Sequence, residues 1–109
     1  GSGGGGGGSG DGLSVTSQKT ADYTASNGDV VLVNLAGTAS DITNVTITLP
    51  AASSDVQIIV KIVSAANGKT VTVDGNSSQT IDGLATRTMD SDYESMHLIS
   101  DGSNWWRIS

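Results

Sequence analysis

Cysteine is absent from this 109-residue chain, phenylalanine is absent too, and there is a single proline, Pro50. Without thiols there are no disulfides and no thiolate metal sites, and the chain carries no mark of its redox compartment. Basic residues are sparse: Lys19, Lys61, Lys69, Arg87 and Arg107 stand scattered against eleven carboxylates, for a net charge of −6. A phosphate backbone demands clustered Lys and Arg, so nucleic acid is excluded as a partner. Anionic glycans are repelled unless a cation intervenes. No apolar run approaches the roughly 18 residues that cross a bilayer, and nothing has the order of a signal peptide.

What is present points to strands. Ser and Thr make up 28 residues, and the apolar complement is mostly Val, Ile and Leu, a mixture that suits pleated surfaces better than helices. The length allows one domain. Nine of the fifteen glycines fall in residues 1–12, with Gly1-Ser2 reading as a cloning scar and the rest as a flexible linker. Residues 13–109 are then a single β-domain. A phosphate-cradling loop in the linker is excluded by the missing Lys-Ser/Thr ending.

From Leu13 the chain breaks into short runs. Leu13-Ser14-Val15-Thr16 alternates, and Tyr23 anchors a loop or short strand in a polar stretch. Asp29 to Leu35 is a strand bounded by Asn27-Gly28 and Gly37, and Val45-Thr46-Ile47-Thr48-Leu49 alternates until Pro50 stops it. Val56 to Val63 is the longest apolar run. Its β-branched residues and its end at Ser64-Ala65-Ala66-Asn67-Gly68 favour strand over helix. Val71-Thr72-Val73, Thr80-Ile81-Asp82-Gly83 and Thr86-Arg87-Thr88-Met89 follow. Turn signals every eight to twelve residues indicate a sandwich, a barrel or a β-solenoid-like stack.

The chain ends in a predicted hairpin. Met96 to Ile99 and Trp105 to Ile108 flank Asp101-Gly102-Ser103-Asn104, a cluster suited to a tight reversal, and half of the four Tyr and Trp residues lie in its second arm. Two runs, Val30 to Leu35 and Val56 to Val63, are apolar on both faces, which predicts burial on both. A domain this small has room for one modest core. A second buried face therefore predicts an intersubunit core, with closed symmetry to cover the strand edges.

Five pieces in order carry a resemblance: Tyr23 to Val33, Val45 to Pro50, Val60-Lys61 with Val71 to Gly75, Ile81-Asp82-Gly83, and Leu98 to Trp105. Over residues 23–106 the chain resembles the distal domains of tailed-bacteriophage tail fibres and tail spikes. The Thr-Leu-Pro ending and the Ser-Asp-Gly-Ser-Asn-Trp stretch are its most specific parts, and Ser64 to Gly68 departs from the Asp-containing turn of the pattern. The resemblance implies an all-β, short-stranded sandwich or β-prism-like domain, an intertwined homotrimer in the virion. It would join the rest of the tail through its N-terminal side and meet the host cell envelope or a surface glycan, without enzymatic activity or cofactor. The expected function is host-surface contact as a fibre tip or spike; a membrane-piercing central spike and a plain trimerisation module are the alternatives.

Candidate chemistry is thin. His97 is the only histidine, and no Gly-x-Ser-x-Gly elbow occurs outside the linker, which excludes the usual nucleophilic triads. The expectation at His97 is a half-exposed strand residue and no metal; its one competing role is an axial ligand repeated three times in a trimer. Asp90, Asp92 and Glu94 have the spacing that opens a calcium loop, but Ser95 stands where glycine is required, so a solvated turn is expected. Trp105 and Trp106 point to opposite faces of a strand, one into the core and the other outward. With Ile108 they are assigned to subunit packing, in preference to a sugar platform, and no glycan-binding residue can be named.

Overall fold

The computed structural model describes residues 12–66 and 68–109. All but the last residue of the expected linker lies outside them, as does Asn67. The described residues form nine strands: β1 (Ser14–Lys19), β2 (Tyr23–Thr24), β3 (Asp29–Asn34), β4 (Asn44–Thr48), β5 (Gln57–Ser64), β6 (Thr70–Asp74), β7 (Thr86–Met89), β8 (Ser95–Ser100) and β9 (Trp105–Arg107). One short 3₁₀ turn, Leu35–Gly37, is capped by the Asn34 side chain, which accepts from the Ala36 amide. The fold is all-β.

The first six strands alternate between two sheets. β1, β3 and β5 pair in parallel in one sheet, and β2, β4 and β6 pair in parallel in the other, so each pair of strands is one coil of a flattened stack. Antiparallel strands then finish both sheets: β7 pairs with β6, β8 with β5, and β9 with β8. The results are a five-stranded sheet in the order β9-β8-β5-β3-β1 and a four-stranded sheet in the order β2-β4-β6-β7. Two sheets face each other across one core, with the first six strands wound between them as a stack. The closing hairpin forms as expected, with Trp106 opposite Ile99.

The core is the space between the sheets. Val31, Val33, Ile58, Val60, Ile62, Met96, Leu98 and Trp105 fill it from one side and Val45, Ile47, Leu49, Val71, Val73 and Met89 from the other, all essentially without solvent contact. Strict alternation holds the register, since a slip of one residue would turn each set outward. Within the chain, β3 and β5 bury only alternate residues, and Val30, Leu32, Ile59 and Val63 are left half-buried on the outer face.

Turns are fixed by specific contacts. At Gly75, after β6, an added Cβ would collide with the backbone carbonyl of Gln79, so only glycine fits the close approach. Asp29, the one buried carboxylate among the described residues, accepts from the Tyr23 hydroxyl at 2.7 Å and the Ser26 amide at 2.9 Å. The hydrogen bond to Asp29, then burial and the Asp29 charge, raise the Tyr23 pKa above its ordinary 10.0. This folded-state pKa lies above the unfolded one, so the stabilisation is complete below pH of about 10 and is lost as pH rises through the folded value. Tyr23→Phe is expected to cost about 1–2 kcal/mol in urea unfolding at pH 7, and the gap should narrow as pH rises above about 10 through the raised folded-state value.

Candidate interaction surface

The two outward faces differ in chemistry. On the four-stranded sheet the register aligns Thr46, Thr72 and Thr88 in one rank and Thr48, Asp74 and Thr86 in the next. Asn44 lies beside them, its carbonyl accepting from the Thr70 and Thr72 hydroxyls at 2.7 and 2.8 Å. This face is polar throughout.

The outer face of the five-stranded sheet is mixed, with Val30, Leu32, Ile59 and Val63 set among Asn34, Gln57, Lys61 and His97. Its register sets Val15 beside Val30, Val30 beside Ile59 and Ile59 beside His97, while Trp106 stands beside Ile99. Ile108 extends the row, its amide donating to the His97 carbonyl at 2.8 Å. Val15, Trp106 and Ile108 are 68%, 45% and 55% exposed.

The two tryptophans divide as adjacent strand residues must. Trp105 is completely buried between the sheets, which leaves it no surface to offer a second chain, so its assignment to subunit packing is corrected to the chain's own core. The Trp105 indole Nε1 has no hydrogen-bond partner among the described residues. Trp106 and Ile108 face outward.

The Ser-Asp-Gly-Ser-Asn-Trp stretch acts as a latch. Asp101 accepts from the amides of Ser103 and Asn104 at 2.8 and 2.9 Å and from Trp106 Nε1 at 2.8 Å. Asn104 reaches the other way, its carbonyl accepting from the Thr80 amide at 3.0 Å, and the Ser100 hydroxyl accepts from the Gly102 amide. Gly102 has φ of +98°, a left-handed conformation that glycine supplies without strain. These donors, the Asn104 amide first, then the Trp106 indole and the Ser103 amide, lower the Asp101 pKa from 3.8 to about 2.

A folded-state pKa below the unfolded one gives stabilisation that is present above pH of about 4 and lost as pH falls through about 2. The Trp106 indole N–H resonance is therefore expected to titrate with Asp101, with a midpoint near pH 2. Asp101→Asn should abolish that titration; its persistence would show that another group holds the indole.

The remaining candidates resolve into structure. His97 Nε2 lies 2.7 Å from the Gln57 amide oxygen on the outer face. Among the described residues no cluster of three or more His, Cys, Asp or Glu side chains is placed to hold a metal ion. In the acidic turn Asp92 accepts from the Ala65 amide at 2.7 Å, Glu94 from the amides of Asp90 and Ser91, and Asp90 from the Ser91 hydroxyl at 3.2 Å. An open groove of about 560 Å³ lies between this turn and the loop after β5, with polar walls. Sequence reasoning missed the contrast between the two sheet faces, because parallel pairing places Thr46 beside Thr72 from different coils. Compared with protein-family models and with curated proteins, the chain finds no match.

Proposed function

We propose that this chain is the distal β-domain of a tailed-bacteriophage tail fibre or tail spike, a non-enzymatic homotrimer of the virion that engages the host cell surface. One observation carries the reading. The sequence pieces of the tail-fibre pattern fall, in order, on β2 and β3, on β4 with Pro50, on β5 and β6, on the Ile81 bridge, and on the closing latch. Each piece thus has a structural task in a stack of coils. The half-buried outer side of β3 and β5 supports the trimer, because apolar strand residues left uncovered in one chain are covered most economically by a copy of it.

The N-terminal side would then lead to the rest of the tail. Host envelope or surface glycan is the expected target, reached by exposed polar loops and not by a catalytic centre. Light scattering on the intact chain is expected to give a mass near three protomers, about 33 kDa for a 10.9 kDa chain. The fluorescently labelled protein should bind some strains of a bacterial panel saturably and be displaced by unlabelled protein. A mass of one chain, or no saturable binding to any strain, would overturn the reading.

A further inference from the structure

We infer that Asn27 is a self-modifying site, converted without an enzyme to aspartate and isoaspartate through the backbone nitrogen of Gly28, and that the isoaspartate form releases the start of β1 from the sheet.

Bonding singles this residue out. Asn34, Asn44, Asn76 and Asn104 each hold their side-chain amide in a hydrogen bond, to Gln18, to Thr70 and Thr72, to the Leu49 carbonyl and to the Thr80 amide. Asn27 is exposed, and its side chain makes no hydrogen bond among the described residues. Its neighbour is equally free. Residues 26–29 form a turn closed by the Asp29 amide donating to the Ser26 carbonyl at 3.0 Å, and Gly28 at φ of +82° takes the position that type II turns reserve for glycine. The Gly28 amide makes no hydrogen bond among the described residues, an uncommon state for the backbone donor of a buried residue.

Three Asp-Gly pairs have the same spacing without this freedom. The Gly75 amide donates to the Ala85 carbonyl and the Gly102 amide to the Ser100 hydroxyl, both at 3.1 Å, while the Asp82 carboxylate accepts from the Arg107 amide at 3.0 Å and pairs with Arg87. An ionised carboxylate also offers a nucleophile no leaving group. Asn27 keeps a neutral carbonyl carbon beside an unengaged amide, with no Cβ on Gly28 to obstruct the approach.

The chemistry needs only water. The Gly28 nitrogen gives up its proton and bonds to the Asn27 side-chain carbonyl carbon, the bond from that carbon to the amide nitrogen breaks, and ammonia leaves with the proton. A five-membered succinimide remains. Water then opens the ring: breaking the newly made bond gives aspartate, and breaking the original peptide bond gives isoaspartate, whose main chain runs through the former side chain.

The place makes the change consequential. The Gly28 carbonyl accepts from the Ser14 amide at 2.8 Å, at the first rung between β1 and β3, and a Cβ at Gly28 would strike the Gly12 carbonyl. Isoaspartate adds one carbon to the main chain of a four-residue turn, so that carbonyl must move. The start of β1 is then unpaired, while Val31 and Val33 stay buried between the sheets.

The folded protein is incubated in mildly alkaline buffer made with heavy-oxygen water, then digested in ordinary water so that only conversion before digestion carries the label. Trypsin cuts after Lys19 and Lys61, which puts Asn27, Asn34 and Asn44 in one peptide and Asn67 in another. Asn27 is expected to take up label, as aspartate and isoaspartate, about tenfold or more faster than Asn34 and Asn44, whose reacting groups are held out of position. Asn27→Gln, which would need a larger ring, should stay unlabelled there. The isoaspartate form, purified by anion exchange, is expected to lose hydrogen-exchange protection at the Ser14 amide, whereas fresh Asn27→Asp, with the same charge on an ordinary main chain, keeps it. Absent labelling of Asn27, or equal labelling of the three asparagines, would overturn the site. Unchanged Ser14 protection in the isoaspartate form would overturn the release of β1.

Discussion

Trp105→Ala is expected to destabilise the domain by about 3–5 kcal/mol, the cost of removing a buried aromatic side chain and leaving a cavity. Domains of this size have about 5–15 kcal/mol in all, so the variant should melt some tens of degrees lower, or not fold at physiological temperature. Trp105 is the largest fully buried side chain, and it sits where the last strand meets the Ile81 segment: its amide donates to the Thr80 carbonyl and its carbonyl accepts from Asp82. Its loss would loosen the latch and the core together. Trp105→Phe is expected to cost much less, because the indole Nε1 has no partner to lose. Thermal melts of the three proteins at one concentration check this. Equal losses for Ala and Phe would mean that a hydrogen bond, and not filled volume, holds the site.

Ile59→Asp is expected to act on assembly instead of folding. Ile59 lies on the outer face, half-buried, between Val30 and His97 in the register of the five-stranded sheet. In a single chain the aspartate side chain would remain partly in water. In the proposed trimer it would press a carboxylate against a neighbouring copy, with a desolvation penalty of several kcal/mol. The mass should fall from three chains to one at neutral pH while the β-type circular dichroism persists. A variant that stays trimeric would place the interface elsewhere.

These two substitutions mark what could be read without coordinates. The strand positions follow from β-branched runs bounded by Gly, Asn, Asp and Pro50, and the opposed directions of Trp105 and Trp106 follow from the period of two along a strand. The latch was legible as a turn, because Asp101, Gly102 and Asn104 have the chemistry of a reversal. Its bond to Trp106 was not, since no local rule tells which donor a loop carboxylate will take. The acidic residues 90–94 had the spacing of a cation loop, yet Asp92 and Glu94 accept from backbone amides. Carboxylate spacing is blind to the amides that folding brings within reach.

By itself the sequence determined the all-β class, the strand-and-turn order and the absence of any thiol or clustered basic chemistry, because these depend on residue type and on periodicities a few residues long. Only the tertiary structure decided that alternate strands go to different sheets and pair in parallel. That choice joins residues as far apart as Val30 and Ile59, and it separates a threonine face from one that mixes Val30, Leu32 and Ile59 with Gln57, Lys61 and His97. It also decided that β3 and β5 bury one face between the sheets and leave the other half-buried. Burial is a property of what lies across a sheet, and short-range pattern carries no information about the layer on the far side.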